Sequence, residues 1–191
     1  MEKLLFKFVA LVLVSSCSGQ ATSCSDYPCP KYEVIKKYES FEERRYVDTD
    51  WITTKLSSKD STSLIAAAKT LRAFCDKQKE AGNVITDGWP ALVTIAEGDT
   101  PSMSLSWFLA SDSNPAITDT SVTLEHKAGT SIYVRSFSGT PSIAAAEETR
   151  KNLIEALDKE GKKFNPAIYT GAFYNSYFSL THYNEVWVYS A

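Results

Sequence analysis

The stretch Ile132–Gly161, IYVRSFSGTPSIAAAEETRKNLIEALDKEG, decides how this chain is read. Ile132, Val134 and Ser136 alternate with Tyr133, Arg135 and Phe137, the two-residue period of a strand whose faces differ. Gly139 breaks the strand. Thr140 is the expected N-cap of a helix, with Pro141 at the first helical position, where a missing N–H costs nothing. Ile143, Ala146, Leu153, Ile154 and Leu157 then recur at helical spacing, and Gly161 supplies the stop.

An earlier part of the chain echoes this unit. Val34–Tyr46 followed by Ile65-Ala66-Ala67-Ala68 parallels Val122–Phe137 followed by Ile143-Ala144-Ala145-Ala146. Each half pairs a hairpin, with an arginine just before an aromatic (Arg45-Tyr46; Arg135-Ser136-Phe137), with a helix ending at glycine. The first half has an extra strand, Trp51–Leu56. Two such units would cover one another's apolar faces.

Between the copies the pattern fills in strand by strand. Lys31–Lys37 and Phe41–Val47 read as a hairpin, and Asp60–Ser63 offers capping side chains for a helix running to about Ala81. Leu64, Ala68, Leu71, Phe74 and Cys75 form that helix's apolar face, with Lys69, Arg72, Lys77 and Lys79 beside them. Val84–Pro90 reads as loop. Ala91–Ala96 with Met103–Ala110, and Ser121–Lys127 with Ser131–Phe137, read as two further hairpins. Pro166–Phe173 and Glu185–Tyr189 close the sheet, joined by the aromatic connection Tyr174–Tyr183.

The 191 residues suit one domain behind a short leader, and the apolar and charged fractions are those of a globular protein. A net charge of −3, with basic residues interleaved among acids, argues against nucleic-acid binding. Lys3, the apolar run Leu4–Val14 and the small residues up to Ala21 have the layout of a secretory signal peptide, residues 1–21, cleaved after Gly19 or Ala21. Nothing after residue 20 is apolar enough to form a transmembrane segment. The expected location is therefore extracellular; the alternative is a bacterial lipoprotein anchored through Cys17, since Val14-Ser15-Ser16-Cys17 fits a lipobox. Export would place Cys24, Cys29 and Cys75 where disulfides persist. Cys29 has two candidate partners: Cys24, in the Pro-flanked arm of residues 22–29, and Cys75 on the first helix. The short Cys24–Cys29 loop is preferred, with Cys75 then a buried thiol.

Catalytic motifs fail in turn: the chain has no G-x-S-x-G, H-E-x-x-H, C-x-x-C, phosphate-binding loop or dinucleotide fingerprint. His126 and His182 read as ordinary histidines, no metal-ligand set forms, and neighbouring pairs such as Glu42-Glu43 diverge on a strand. What stands out is aromatic: Tyr169, Phe173, Tyr174, Tyr177, Phe178 and Tyr183 crowd the last fifth. They read either as core and rim, or in part as the wall of a pocket for a flat amphiphile whose anionic groups meet first-helix cations.

These residues carry a resemblance. Pro30-Lys31-Tyr32-Glu33-Val34-Ile35, Phe41-Glu42-Glu43-Arg44-Arg45-Tyr46 and Trp51-Ile52-Thr53-Thr54 resemble the opening of the SOUL haem-binding protein family. Tyr133–Gly139, Leu153–Phe164, Ala172-Phe173-Tyr174-Asn175-Ser176 and Asn184-Glu185-Val186-Trp187 continue it in order, so the domain is taken as residues 30–191. The resemblance implies an α+β fold, a distorted, mostly antiparallel β-barrel flanked by two helices and built from an internal duplication. It also implies a non-enzymatic protein binding haem or another porphyrin in an apolar groove between the first helix and the closing strands. Carried over, that groove takes Leu64, Ala68, Leu71, Arg72 and Cys75 from the helix and Tyr174, Tyr177 and Phe178 from the connection, with Arg72 and nearby lysines facing propionates.

Three departures qualify the carry-over. Gly88-Trp89-Pro90-Ala91-Leu92-Val93 stands where the family commonly has a Met-Thr-Ala-Pro-Val run. Tyr177 replaces a usual proline. Arg45 stands where some members carry a histidine proposed to bind iron, so no iron ligand carries over. Two rival readings use the same barrel: an enzyme acting on a small hydrophobic ligand through carboxylates such as Glu43 and Glu185, and an interaction protein that has lost its pocket.

Overall fold

A computed structural model of the chain describes residues 18–19, 28–85, 87–117, 119–176 and 179–191. The expected leader, apart from Ser18 and Gly19, lies outside the described residues, as do Cys24 and hence its pairing with Cys29. The elements run β1 (Ser18–Gly19), β2 (Tyr32–Lys37), β3 (Glu42–Tyr46), β4 (Thr49–Lys55), α1 (Ser61–Glu80), β5 (Asp87–Ala96), β6 (Ser102–Leu109), β7 (Thr123–Lys127), β8 (Ser131–Ser138), α2 (Ile143–Lys159), β9 (Phe164–Phe173) and β10 (Tyr183–Ser190). All strands join one sheet in the order β1-β2-β3-β8-β10-β9-β5-β6-β4-β7, and every neighbouring pair is antiparallel. Neither helix is long and apolar enough to cross a membrane.

The sheet curls. Tyr46 of β3 and Lys127 of β7, seven strand steps apart, line the same cleft, together with Trp51, Thr94, Ser104, Ile132, Ile168 and Trp187 from the strands between. Only a half-barrel with that face inward brings them together. The β3–β4 and β7–β8 connections lie side by side where the β3–β8 ladder ends: Tyr46 N donates to Thr130 O at 2.9 Å and Gly129 N to Asp48 Oδ1 at 2.7 Å. Gly129 is required there, because a Cβ would sit 2.8 Å from the Tyr46 carbonyl oxygen.

Strand alternation sorts the side chains into two layers. Tyr32, Tyr46, Trp51, Leu92, Ile132, Val134, Ala172, Tyr174 and Trp187 pack together on the concave face. The other face carries both helices: α1 rests on β4 and β6, α2 on β8, β9 and β10. Leu71, Phe74 and Cys75 of α1 cluster with Ile52, Val93, Leu105 and Phe173. Ala146, Leu153 and Leu157 of α2 cluster with Tyr133, Val186 and Val188.

The strand order is symmetric about the β5–β9 pair. Read outward it gives β5-β6-β4-β7 one way and β9-β10-β8-β3 the other, so β3-β4-α1-β5-β6 corresponds to β7-β8-α2-β9-β10. The match made in sequence between Val34–Tyr46 and Val122–Phe137 is thus one strand out of step: β2 is the additional strand, not β4. Sequence similarity in short hairpins is too weak to set register, whereas hydrogen-bonded pairing sets it directly.

Two local expectations also shift. The loop expected at Val84–Pro90 enters a strand at Asp87, with a cis Trp89–Pro90 bond and a break in register between Asp87 and Ala91. In α2 the N-cap is Ser142, not Thr140: its hydroxyl accepts from Ala145 N at 3.1 Å. Asp60 caps α1 as expected, accepting from Ser63 N at 2.8 Å. Both helices stop at a left-handed glycine, Gly82 (φ +80°) and Gly161 (φ +64°).

Ser142→Ala should therefore cost about 1 kcal/mol in urea unfolding. Thr140→Ala should stay within ~0.5 kcal/mol of wild type. Equal losses for the two would refute this cap assignment.

Candidate functional site

The helix-bearing face is ordered in rows by strand register. One row crosses six strands as Ile52 (β4), Trp107 (β6), Ala91 (β5), Phe173 (β9), Asn184 (β10) and Phe137 (β8). Because α1 and α2 sit on opposite flanks, the middle of this row lies between them. Trp107, Ala91 and Phe137 are only half-buried there. They form a partly exposed apolar floor, interrupted by the buried Phe173 and Asn184.

From α1, Leu64 and Ala68 are half-buried against this floor, and Ile65 is 56% exposed. Arg72 is exposed, with its guanidinium carbon 5.7 Å from the Trp107 ring centre, close enough for a weak cation–π contact. Leu71 and Cys75 continue the same stripe of the helix as Leu64 and Ala68, but they are buried, at 0% and 5% exposure, within the core. The N-terminal ends of the two helices are tied by ion pairs. Lys59 Nζ lies 2.6 Å from Glu147 Oε1, which also accepts from Tyr169 Oη at 3.0 Å. Arg150 stacks 4.3 Å over the Tyr169 ring and reaches Glu97 Oε2 at 3.2 Å. The Lys59 hydrogen bond holds the Glu147 carboxyl below its ordinary range.

Of the connection residues expected in the groove, Tyr177 and Phe178 lie outside the described residues. Tyr174 is on the opposite face of the sheet. Its phenol donates to Glu185 Oε2 at 2.8 Å within a buried polar cluster. The expected set is therefore divided. Leu64, Ala68 and Arg72 share a partly exposed surface of α1, Leu71 and Cys75 are buried in the core on the same helix, and Tyr174 belongs to another layer.

That cluster is built around Glu185, which has no exposed surface. Oε1 accepts from Arg44 Nη1 at 2.8 Å and Tyr183 Oη at 2.7 Å; Oε2 accepts from Tyr174 Oη and Trp187 Nε1, each at 2.8 Å. Arg44 is itself buried, paired also with Glu42 at 2.8 Å and 4.4 Å over the Tyr32 ring. Burial pushes the Tyr46 and Tyr174 phenols well up, and the Glu185 charge pushes them further, so both stay protonated; Tyr174 donates to Glu185, while Tyr46 Oη accepts from Arg44 Nη1 at 3.4 Å. Burial opposes the Arg44 charge, but the neighbouring Glu185 carboxylate outweighs it. With four donors on two oxygens, Glu185 offers no free lone pair to a substrate. Glu43 is on the helix-bearing side, 2.9 Å from Lys162 Nζ. The two carboxylates considered for catalysis do not face one another.

The sequence singled out Arg45, beside the aromatic, and the structure puts the buried charge on Arg44. Alternation was the available signal: in Glu42-Glu43-Arg44-Arg45-Tyr46, residues 44 and 46 share the inner face. The concave face also holds a cleft of about 320 Å³, with Thr94, Ser104, Glu125 and Lys127 among its polar lining. A more open hollow of about 510 Å³ at Arg45–Asp48 and Gly129–Ser131 adjoins it. The aromatic side chains of the cleft, Tyr46, Trp51 and Trp187, are each more than nine-tenths buried, so little of their ring surface is open to it.

With the fold and both faces described, comparison with known proteins places the chain. The model of the SOUL heme-binding protein family matches residues 27–189. The chain belongs to the SOUL heme-binding protein family. Mouse heme-binding protein 2 is 29% identical over 187 residues, covering 93% of this chain and 91% of that protein. Among solved structures, the C-terminal domain of EcmrR superposes with a TM-score of 0.60 at 9% identity, covering 79% of this chain and 96% of that one. A hydrolase from Listeria innocua superposes with a TM-score of 0.55 at 13% identity, covering 82% and 94%. At these identities the structural likenesses establish a shared fold and nothing about chemistry. Two of the SOUL motifs now have a physical meaning: Asn184-Glu185-Val186-Trp187 supplies the buried acceptor and one of its donors, and Tyr174 supplies another.

Replacing Glu185 with Gln should destabilise the fold by about 3–5 kcal/mol, because Arg44 is left buried without its charge partner. The double variant Glu185→Leu/Arg44→Met should recover most of that loss. Chemical denaturation of Glu185→Gln, of the single variants Glu185→Leu and Arg44→Met, and of their double variant decides it; an additive double variant would refute the coupling.

Proposed function

We propose that this protein binds haem or a related porphyrin, without catalysis, in the groove between α1 and the sheet. The observation that carries the reading is the half-buried apolar strip of Leu64, Ala68, Ala91 and Trp107 with the exposed Arg72 at its edge, in a chain of the SOUL family. A flat apolar macrocycle with anionic side groups matches that surface in both shape and charge. Arg72 and Lys69, both exposed on α1, would meet the propionates, while Leu64, Ala68 and Trp107 would cover the ring. Tyr177 and Phe178 are assigned to the ligand on the family resemblance alone. When bound, haem would supply an iron centre; the chain's own residues would exclude water from one face of the ring and hold its acidic edge.

The concave cleft is the less suitable place for so large a ring, since about 320 Å³ is near the lower end of the roughly 300–1,000 Å³ of small-molecule sites. A hydrolase reading gains little from Glu43 and Glu185, which occupy opposite faces and are already bonded. The name and sequence of mouse heme-binding protein 2 support the porphyrin reading over an interaction protein without a ligand.

The protein is further proposed to be exported, with residues 1–21 removed and Cys24 bonded to Cys29 in the arm. N-terminal sequencing of the exported form should then begin at Gln20 or Thr22. A lipid-modified Cys17 would favour the anchored alternative.

Haemin titration of the purified protein should give a saturable change in the Soret band at micromolar concentrations. Arg72→Ala should weaken binding roughly fivefold, about 1 kcal/mol, the scale of an exposed ion pair. Thermal stability should rise with ligand concentration, because only the native state holds the groove. Absence of saturable binding to both haemin and protoporphyrin would overturn the reading.

A further inference from the structure

Two charged side chains, Glu125 and Lys127, line the concave cleft of about 320 Å³. Register puts them there: Glu125 pairs with Trp51 and Lys127 with Thr49, so both point to the concave face. His126, between them, bonds Asp50 on the other face. Lys127 Nζ donates to Glu125 Oε1 at 2.6 Å, and Thr53 Oγ1 donates to Oε2 at 2.9 Å. Unlike Glu185, this carboxylate is not filled. A carboxylate has about four lone-pair sites and an ammonium about three donors, so each partner keeps roughly two positions open. Neither is sealed from solvent, with side-chain exposures of 41% and 26%. The Glu125 charge also reaches across the cleft to β10: burial raises the Tyr189 phenol first, and the carboxylate adds to it.

The charge pattern selects a ligand. A simple anion drawn to Lys127 meets Glu125, and a simple cation drawn to Glu125 meets Lys127, so each is attracted and repelled at once. A molecule with an ammonium and a carboxylate on one carbon avoids this conflict. Its ammonium, which only donates, takes the open acceptor sites of Glu125; its carboxylate, which only accepts, takes the open donors of Lys127. The existing Glu125–Lys127 contact stays in place. Away from this pair the cleft is mainly apolar, with Val47, Ala96, Ile132 and Ile168 in its wall. At about 30 Å³ per water it has room for roughly ten waters, the size of a free amino acid and far below that of a porphyrin.

We propose that the concave cleft binds a free α-amino acid with an apolar side chain, its ammonium on Glu125, its carboxylate on Lys127 and its side chain against Ile132 and Ile168. The site lies on the opposite face of the sheet from α1, so it stands or falls independently of the porphyrin reading.

The test is an NMR titration of the isotope-labelled protein with L-phenylalanine, N-acetyl-L-phenylalanine and L-phenylalanine amide. L-Phenylalanine should saturate with a sub-millimolar dissociation constant, the scale for a ligand of about a dozen non-hydrogen atoms, and shift the Trp51 indole and the β7 amides. Each blocked analogue should bind roughly fivefold more weakly, because it forfeits one charged contact. That comparison uses the wild-type protein and needs no variant. Glu125→Gln and Lys127→Met should each weaken L-phenylalanine to the same extent and melt close to wild type, since both side chains are partly exposed on the outermost strand. Arg72→Ala should leave L-phenylalanine binding unchanged. No saturable binding up to roughly 10 mM would overturn the proposal. Equal binding of all three compounds would show a site blind to the ligand's charges and overturn it as well. Weakening by Arg72→Ala, with shifts confined to α1, would put the ligand on the other face and overturn it too.

Discussion

The structure depends on one buried carboxylate. Glu185 sits at the centre of the concave layer with no exposed surface, and its four donors come from β3, from the end of the β9 strand and from β10 itself. An ionised carboxylate in such a place is tolerable only when its lone pairs are filled and a counter-charge is near. Arg44, Tyr174, Tyr183 and Trp187 meet those conditions, and their geometry ties strands that are far apart in sequence. The cluster specifies how β3 meets β8 and β10, because a one-residue slip of β3 would turn Arg44 outward and leave the charge alone.

This arrangement divides the labour of the two sheet faces. The concave face spends its polar side chains on its own cohesion: the Glu185 cluster at one side, and hydroxyl pairs such as Thr94 with Thr170 at 3.0 Å and Thr170 with Tyr189 at 2.9 Å. The opposite face keeps apolar surface in reserve. Its helices rest on the flanks, and the row between them is incompletely covered. Two half-buried helix side chains, an indole and a free-standing guanidinium therefore share one surface. Among the described residues, His182 Nδ1 and Asn184 Oδ1 are the buried side-chain polar atoms without a hydrogen-bond partner.

Strand order gives the fold a two-fold regularity that the chain only hints at. The pair β5–β9 is the centre, each half contributes one helix, and both helices fall on one side because each follows the second strand of its unit. The two connections between the halves, β3–β4 and β7–β8, lie together at Tyr46 and Gly129, across the curl of the sheet.

The sequence alone was sufficient for the local elements and the family. Helical spacing in Leu64–Cys75 and Ile143–Leu157, glycine stops at Gly82 and Gly161, and alternating strands are all short-range signals, set by neighbours within a turn or a pleat. The ordered motifs from Pro30 to Tyr189 were equally sufficient to recognise the SOUL family. Tertiary structure decided what depends on distant residues meeting: which strand is the extra one, which of Thr140 and Ser142 caps α2, and which of Arg44 and Arg45 is buried. It also separated Tyr174 from the α1 groove, since the face a side chain takes at the end of a strand is set by its partner strands. The same cause explains Glu185, an unremarkable acid in the sequence. It becomes a buried anchor because residue 44, 141 positions earlier, folds against it.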